Sequence, residues 1–402
     1  MKVLFWLNKF PTFSETFIRD QIIALIIQGI DVLIYTNYKG INQEEIKALH
    51  GYEAYKLQKK HIDIDASTPK NKFFRVMLFI WILGIKGFRH EYGKCYRRSL
   101  DFSSFKKMKR SLNTFFRVHY LIKHRIDIIH AHYGTNGNEA AIFKKVGLPL
   151  RLYSTFHGYD IRLGVKKGGA IYADLFEFGD GIFAISDFNY SRLLSFGALK
   201  ERLFKLSNGI DTAFYKREKA ISKAGVINIL TVARLVEEKA LHIAIHAICK
   251  LIATRANLDL NYMIIGEGVE RLKLEDLIEK LGLGHIVKLL GAKDSAYVAK
   301  LMATSDLFLL PSKAEALPTV LLEAQASGMV VLATNVGGVK EIVRGGTVVP
   351  PLNIDGFCKG LSMLIDGRMN WDEYSRLGRE YVVANHDIYK QTKHLVNIYM
   401  GY

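Results

Sequence analysis

PSKAEALPTVLLEAQASGMVVLATNVGGVKEIVR, residues 311–344, decides the reading of this chain. Two carboxylates, Glu315 and Glu323, sit eight positions apart on either side of a helix start. Pro318 suits the first turn, where its missing amide would be unpaired anyway, and Gly328 suits the position just past the helix end. The unpaired amides of such a start form an anion site, with Glu315 just outside it and Glu323 further along the same helix. A phosphate flanked by hydroxyl groups fits that layout, and a nucleotide sugar is such a ligand. An ordinary β-α unit with surface glutamates fits the same residues, so the window alone leaves both readings open.

Upstream, Ile227 to Val232 is an apolar, β-branched run that reads as a buried parallel strand, and Arg234 and Lys239 follow it where the chain turns towards a helix. Open α/β sheets bind ligands at the carboxyl ends of their strands. A forked guanidinium and a lysine there can stabilise a leaving diphosphate without a metal.

Strands are predicted at Val3–Leu7, Asp31–Thr36, Asp127–His132, Arg151–Phe156 and Gly181–Ile185, with helical patterns between most of them. A second array follows at Ile227–Val232, Leu260–Ile265, Ile286–Leu290, Leu307–Leu310 and Val330–Thr334. The fold class is therefore α/β, with two doubly wound parallel sheets. Asn208 to Asp211 is a turn signal opening a polar stretch to Ala224, which places the linker there. The expected domains are 1–212 and 213–387, with the site in the cleft between them. A length of 402 residues with 49% hydrophobic content is enough for two cores. Cys95, Cys249 and Cys358 are widely spaced and match no disulfide or zinc pattern, so a reducing cytosol is expected. MKVLFWLNKF reads as a first strand, not as a secretion signal.

The spacing of Glu315, Glu323, Gly337, Gly338 and Glu341 resembles the donor-site signature of glycosyltransferase family 4, and Val232 to Lys239 resembles the family's donor-phosphate segment. The resemblance implies the GT-B fold, two Rossmann-like domains facing across a cleft, and retaining transfer from a nucleotide-diphosphate sugar. It further implies that Arg234 and Lys239 hold the diphosphate, that Glu315 contacts the transferred sugar and that Glu323 contacts the ribose. Backbone amides near Leu317, Thr319 and Val320 would support phosphate and sugar, while Pro318 has none to give. The family usually has Gly after this lysine, where Ala240 stands here. Gly266 and Gly291 each follow a strand and resemble family loops near the nucleotide base, although Gly-x-Gly alone only permits a tight turn. Residues 388–402 are implied to cross back onto the first domain.

In the first half, Thr155 to Asp160 resembles the family's His-Gly turn, which puts His157 close to the transferred sugar as a hydrogen-bonding group and not as a nucleophile. Phe-Pro-x-x-Ser-Glu-Thr-Phe-Ile, residues 10–18, resembles a subset of the family among bacterial exopolysaccharide transferases of the colanic-acid and amylovoran type, as does His130 to Gly134. Ser14, Glu15, Thr16, His132 and Asp160 are accordingly expected on the acceptor side. Ser14 reads equally as a plain N-cap for a helix running to about Gln28. His130 and His132 share one strand face, but no third ligand lies nearby, so no metal is expected there, and the resemblance implies no cofactor, since GT-B transferases do not generally need a bound divalent ion.

The net charge is +17, and Lys70 to Arg125 carries 15 Lys and Arg against Glu91 and Asp101. Within it lies FFRVMLFIWILGIKGF, residues 73–88, whose unbroken apolar run is well short of the ~20 residues a membrane-spanning helix needs. Two readings stand: a buried helix of the first domain, or an interfacial helix docking on anionic lipid. No nucleic-acid module is present, so nucleic acid is not expected as a partner. The sequence as a whole predicts a retaining glycosyltransferase at the cytoplasmic membrane face. Its partners would be a nucleotide sugar and a polyprenyl-linked or oligosaccharide acceptor, in exopolysaccharide, capsule or lipopolysaccharide synthesis. A GT-B nucleotide-sugar epimerase and a non-catalytic basic binding protein of the same fold are the alternatives. Arg234, Lys239, Glu315 and Glu323 together weigh against the last, since a binding scaffold has no need of that set.

Overall fold

The computed structural model describes residues 1–12, 15–38, 51–64, 68–69, 71–89, 92–100, 105–217, 225–255 and 258–401. Strands β1 (Lys2–Leu7), β2 (Asp31–Thr36), β3 (Ile128–His132), β4 (Arg151–Phe156), β5 (Gly181–Ala184) and β6 (Leu203–Lys205) form one parallel sheet in the order β2-β1-β3-β4-β5-β6. Strands β7 (Ile227–Val232), β8 (Leu260–Ile265), β9 (Val287–Leu289), β10 (Leu307–Leu310), β11 (Val330–Thr334) and β12 (Gly346–Val349) form a second, in the order β12-β11-β10-β7-β8-β9.

Period-two alternation divides each sheet between two cores. Leu4 and Trp6 of β1 enter one apolar cluster, and Val3, Phe5 and Leu7 enter another on the opposite face. In the second sheet Leu307 and Leu309 face one cluster while Phe308 and Leu310 face the other. Both faces of these strands are therefore buried, which is why these segments read as continuous apolar runs.

Two strands went unpredicted, β6 and β12, and both lie at sheet edges. Leu203 to Lys205 is three residues long and flanked by charge, while Gly346 opens β12 with a backbone φ of +159°. A Cβ at Gly346 would stand 1.9 Å from the Val331 carbonyl oxygen, so this edge strand depends on a residue that a strand pattern penalises.

The two sheets are joined twice. Ile210 N–H donates to the His386 carbonyl at 2.9 Å, and Ile388 N–H donates to the Ile210 carbonyl at 2.9 Å. Gly209 permits this approach, because a Cβ there would lie 2.7 Å from the Ile388 Cα. The helix Ile388–Met400 then packs on the helix Thr16–Ile27 of the first half, with Leu395, Ile398 and Tyr399 in the first-half core.

The segment read as either buried or interfacial forms the helix Lys72–Arg89. Its Leu78, Phe79, Ile82 and Leu83 pack inward, with Phe79 and Phe115 ring centroids 4.9 Å apart. Phe73 is 68% exposed and Trp81 51%, and Phe74, Val76, Met77, Ile80 and Ile85 are exposed as well. Among the described residues no helix is long and apolar enough to cross a membrane.

Candidate active site

Strand order sets the location of the cleft. β1 neighbours β3 and β7 neighbours β10, and at these two points the direction of winding reverses. The loops leaving the two strands part there and open a crevice at their carboxyl ends. The Arg234 loop leaves β7 and the Glu315 loop leaves β10. Opposite them, the loop carrying Thr12 and Glu15 leaves β1, and Tyr133 follows β3.

A cavity of about 590 Å³ lies between these ends. Its second-half wall includes Arg234, Lys239, Gly266, Glu315, Thr319, Val320 and Glu323, and its first-half wall includes Lys9, Thr12, Thr16 and Arg19. Lys239 Nζ donates to Glu315 Oε1 at 2.5 Å, and Ser312 Oγ donates to the same oxygen at 2.7 Å. Glu315 is thus aimed through Oε1, and its second oxygen is open to a ligand hydroxyl. Pro318 is the N-cap of the helix Thr319–Ala326, so the amides of Thr319 and Val320 stand at the helix start on the cavity wall. The side chain of Leu317 is buried and packs towards Gly338. Gly266 is required by close approach, since a Cβ there would lie 1.8 Å from the Ala233 carbonyl oxygen. Gly291 supports Gly266 from behind through the Gly266 N–H to Gly291 carbonyl bond of 3.0 Å, and its neighbours Ala292 and Lys293 reach the wall.

Glu323 is buried, and burial pushes its carboxyl up to about 7. Asp20 adds to that rise, while Arg19 and the Tyr215 hydroxyl oppose it. Arg19 was not anticipated from sequence. It is 4% exposed and lines the cavity. Its Nε and Nη2 both donate to Asp20 Oδ1 at 2.7 Å, and its Nη1 has no hydrogen-bond partner. The signal available was an Arg-Asp pair next to Ile18 on a helix otherwise rich in Ile, Leu and Ala. Tyr215, at the linker, offered no comparable signal.

The first-half candidates divide. Thr16 begins its helix and lines the cavity, with Glu15 at the N-cap. Burial raises the Glu15 carboxyl above its ordinary value, against hydrogen bonds from Tyr133 and Thr12 and the charge of Arg234 across the cleft. Ser14 lies outside the described residues. His132 and Asp160, expected to meet an acceptor, are instead internal supports. Asp160 is fully buried, and its carboxylate accepts from the amides of Gly134 at 2.9 Å, His157 at 2.8 Å and Ile161 at 3.1 Å. Burial holds its carboxyl at about 7 despite these bonds. It ties the start of the helix Gly134–Lys145 to the His157 turn.

His132 lies between Gln21 and His157, with 3.0 Å contacts to each. If Gln21 Oε1 accepts from His132 Nε2, neutral His132 accepts at Nδ1 from His157 Nε2. His157 then keeps its Nδ1 lone pair as an acceptor and has no N–H left for the cleft. It is 5% exposed and is not among the residues lining the cavity. His130 completes the stack, its ring 4.9 Å from that of His132, and bonds to Thr155 Oγ1 at 2.8 Å and to the Tyr399 hydroxyl. Burial holds His130 and His157 at about 3, so all are neutral near pH 7. Among the described residues no group of three or more His, Cys, Asp or Glu could hold a metal ion.

A cleft with two cations and helix amides on one wall, and two carboxylates beside them, is built for an anion flanked by hydroxyl groups. A family model described as Glycosyltransferase Family 4 matches residues 14–214, and one described as Glycosyl transferases group 1 matches residues 214–380. The chain is 31% identical over 364 residues to WcaL of Escherichia coli (strain K12), whose name assigns it to colanic acid biosynthesis as a glycosyltransferase, covering 87% of each chain. It is 27% identical over 362 residues to the amylovoran biosynthesis glycosyltransferase AmsK of Erwinia amylovora, covering 86% of this chain and 85% of the relative. The crystal structure of Anabaena Alr3699/HepE in complex with UDP superposes with a TM-score of 0.74 at 17% identity over 100% of both chains. Sucrose-phosphate synthase from Thermosynechococcus elongatus does so with a TM-score of 0.69 at 15% identity over 100% and 99%. These two likenesses show a shared GT-B fold.

Proposed function

The chain belongs to glycosyltransferase family 4, and from that premise we propose that it moves a sugar, with retention of anomeric configuration, from a nucleoside-diphosphate sugar to a lipid-linked or growing exopolysaccharide. The observation that carries this reading is the meeting of Arg234, Lys239, Glu315 and the Thr319 helix start around one 590 Å³ cavity. Arg234 and Lys239 offer positive charge to the departing diphosphate, joined by the amides of Thr319 and Val320. The open oxygen of Glu315 takes a hydroxyl of the sugar, and Glu323 takes the ribose. The acceptor hydroxyl attacks the anomeric carbon on the face the diphosphate leaves, and its proton passes to a phosphate oxygen of that leaving group. His157, buried behind the cavity wall, holds the turn beside Ala316, which a Cβ at Gly158 would approach to 3.1 Å.

Uridine diphosphate is the first nucleotide to test, since it is bound in the Anabaena structure. Names of the two relatives support an exopolysaccharide product. The exposed apolar stripe of the helix Lys72–Arg89, set in a region with 15 Lys and Arg, supports docking on the anionic cytoplasmic face of a membrane. Thermal-shift screening against nucleoside diphosphates, followed by NMR of the product's anomeric proton, tests the proposal. One strong stabiliser and a retained anomer are expected. Epimerised sugar formed without acceptor would instead identify an epimerase.

A further inference from the structure

Glu315 is shared by a second cavity, of about 340 Å³, on the far side of its loop from the nucleotide wall. The first half contributes Ile161, Arg162 and Val165 from the helix Gly158–Lys167, with Phe188 and Arg192 from the helix Asp187–Ser195; the second half closes it with residues 313–316 and 336–337. Its charges are unevenly matched. Lys313 is paired with Glu237, and the one carboxylate on the wall, Glu315, is already aimed at Lys239 and Ser312. Arg162 and Arg192 have no carboxylate partner among the described residues. The Arg192 guanidinium lies 5.5 Å over the Phe188 ring, which orients its fork and leaves its donor edges open. Gly158 leaves room for Arg162 at the inner end, since a Cβ there would stand 3.2 Å from Arg162 Nη1.

Two unneutralised guanidinium forks fit a phosphate, which each can bind through paired N–H bonds. The remaining wall is apolar, formed by Ile161, Val165, Phe188 and Val336, and Val165 is 59% exposed at its edge. We propose that this cavity binds the diphosphate of an isoprenyl-diphosphate-linked acceptor. The acceptor sugar lies towards Glu315, the diphosphate on Arg162 and Arg192, and the first isoprene units along Val165 and Phe188. The proposal rests on the donor reading above, because it is Glu315 that makes the inner end of the cavity the reacting end.

The test uses the full chain saturated with whichever nucleoside diphosphate binds it best. Farnesyl diphosphate is titrated in calorimetrically as the probe, and inorganic pyrophosphate forms a lipid-free arm. Farnesyl diphosphate is expected to bind one site, and the Arg162→Gln, Arg192→Gln double variant to bind it at least about tenfold more weakly, as loss of paired charge-assisted bonds requires. The nucleotide affinity of that variant should stay within about twofold of wild type, which also reports an intact fold. Arg162→Lys with Arg192→Lys keeps the charge without the fork and should fall between the two. The proposal is overturned if the nucleotide-saturated chain takes up no farnesyl diphosphate, if nucleotide displaces the probe, or if the Gln variant binds it as tightly as wild type. Pyrophosphate binding as tightly as farnesyl diphosphate overturns the isoprenyl assignment. Absence of any nucleoside diphosphate binding, measured before the probe is added, would remove the donor reading instead, so the two failures are distinct.

Discussion

At the end of β7, Arg234 and Lys239 stand on the open wall of the cleft, whereas at the ends of β3 and β4 His132, His157 and Asp160 are packed away at 5% exposure or less. Both sets stand at or just past the carboxyl ends of parallel strands, and both looked alike in the sequence. The difference lies in what covers them. On the second-half wall the cavity itself is the neighbour. On the first-half wall the helices Thr16–Ile27 and Ile388–Met400 close over the sheet, and polar side chains there must satisfy one another. A polar residue at a strand end is thus a ligand contact or an internal brace according to its cover.

The comparison can be broken most directly at the open wall. Arg234→Ala and Lys239→Ala should each lower turnover by about two orders of magnitude, the usual size for one preorganised charge contact, with the melting temperature little changed. Wild-type rates in either variant would take that residue out of the site. The covered wall should show the reverse signature. Asp160→Ala leaves three buried amides without their acceptor and should cost about 3 kcal/mol in a urea titration. Unchanged stability with lost activity would move Asp160 to the open wall.

Arg19 sharpens the contrast, being buried yet lining the cavity, with its Nη1 without a hydrogen-bond partner. Arg19→Gln should weaken nucleoside-diphosphate binding about tenfold by calorimetry, as loss of one charge-assisted hydrogen bond predicts. Unaltered affinity would make Arg19 a brace for Asp20 alone.

The smallest effect is expected at Glu323, and it depends on pH. A carboxyl raised to about 7 is protonated in the free protein at pH 6 and ionised at pH 8, so its full acceptor capacity for ribose hydroxyls appears only as pH rises through that value. Nucleotide affinity should therefore step up a few-fold across pH 7 in wild type and lack that step in Glu323→Gln. The stability sign is opposite. The folded value lies above the ordinary 4.5, so the contribution of Glu323 to folding is full below 4.5 and is lost as pH rises through about 7.

How much of this was legible follows from cover as well. The central strands announced themselves because both faces are apolar, while β6 and β12, at the edges, are short and carry charge or glycine. Glu315, Glu323, Arg234 and Lys239 were legible from a spacing that places them at the carboxyl ends of β7 and β10. Period two assigned His130 and His132 to one face but could not say that Tyr399, some 270 residues away in sequence, covers it. Arg19 escaped because a charged residue on a helix is ordinarily a solvated one. For the helix Lys72–Arg89 the sequence left two readings, and the exposure of Phe73 and Trp81 distinguishes its two faces.

The pairing of Ile210 with His386 and Ile388 makes the connection between the halves a ribbon two strands wide. A body on a single cord swings and spins freely. One hung on a ribbon resists twist, so the pairing holds the two facing walls in one alignment. Gly209 keeps the ribbon narrow, since any larger residue would push its strands apart at Ile388. Away from the ribbon, Glu341 of the second half reaches the first and accepts from the amides of Asp187 at 2.7 Å and Phe188 at 2.9 Å. Ribbon and carboxylate clamp thus pin the halves to each other at two separate places, at 209–210 and at 341.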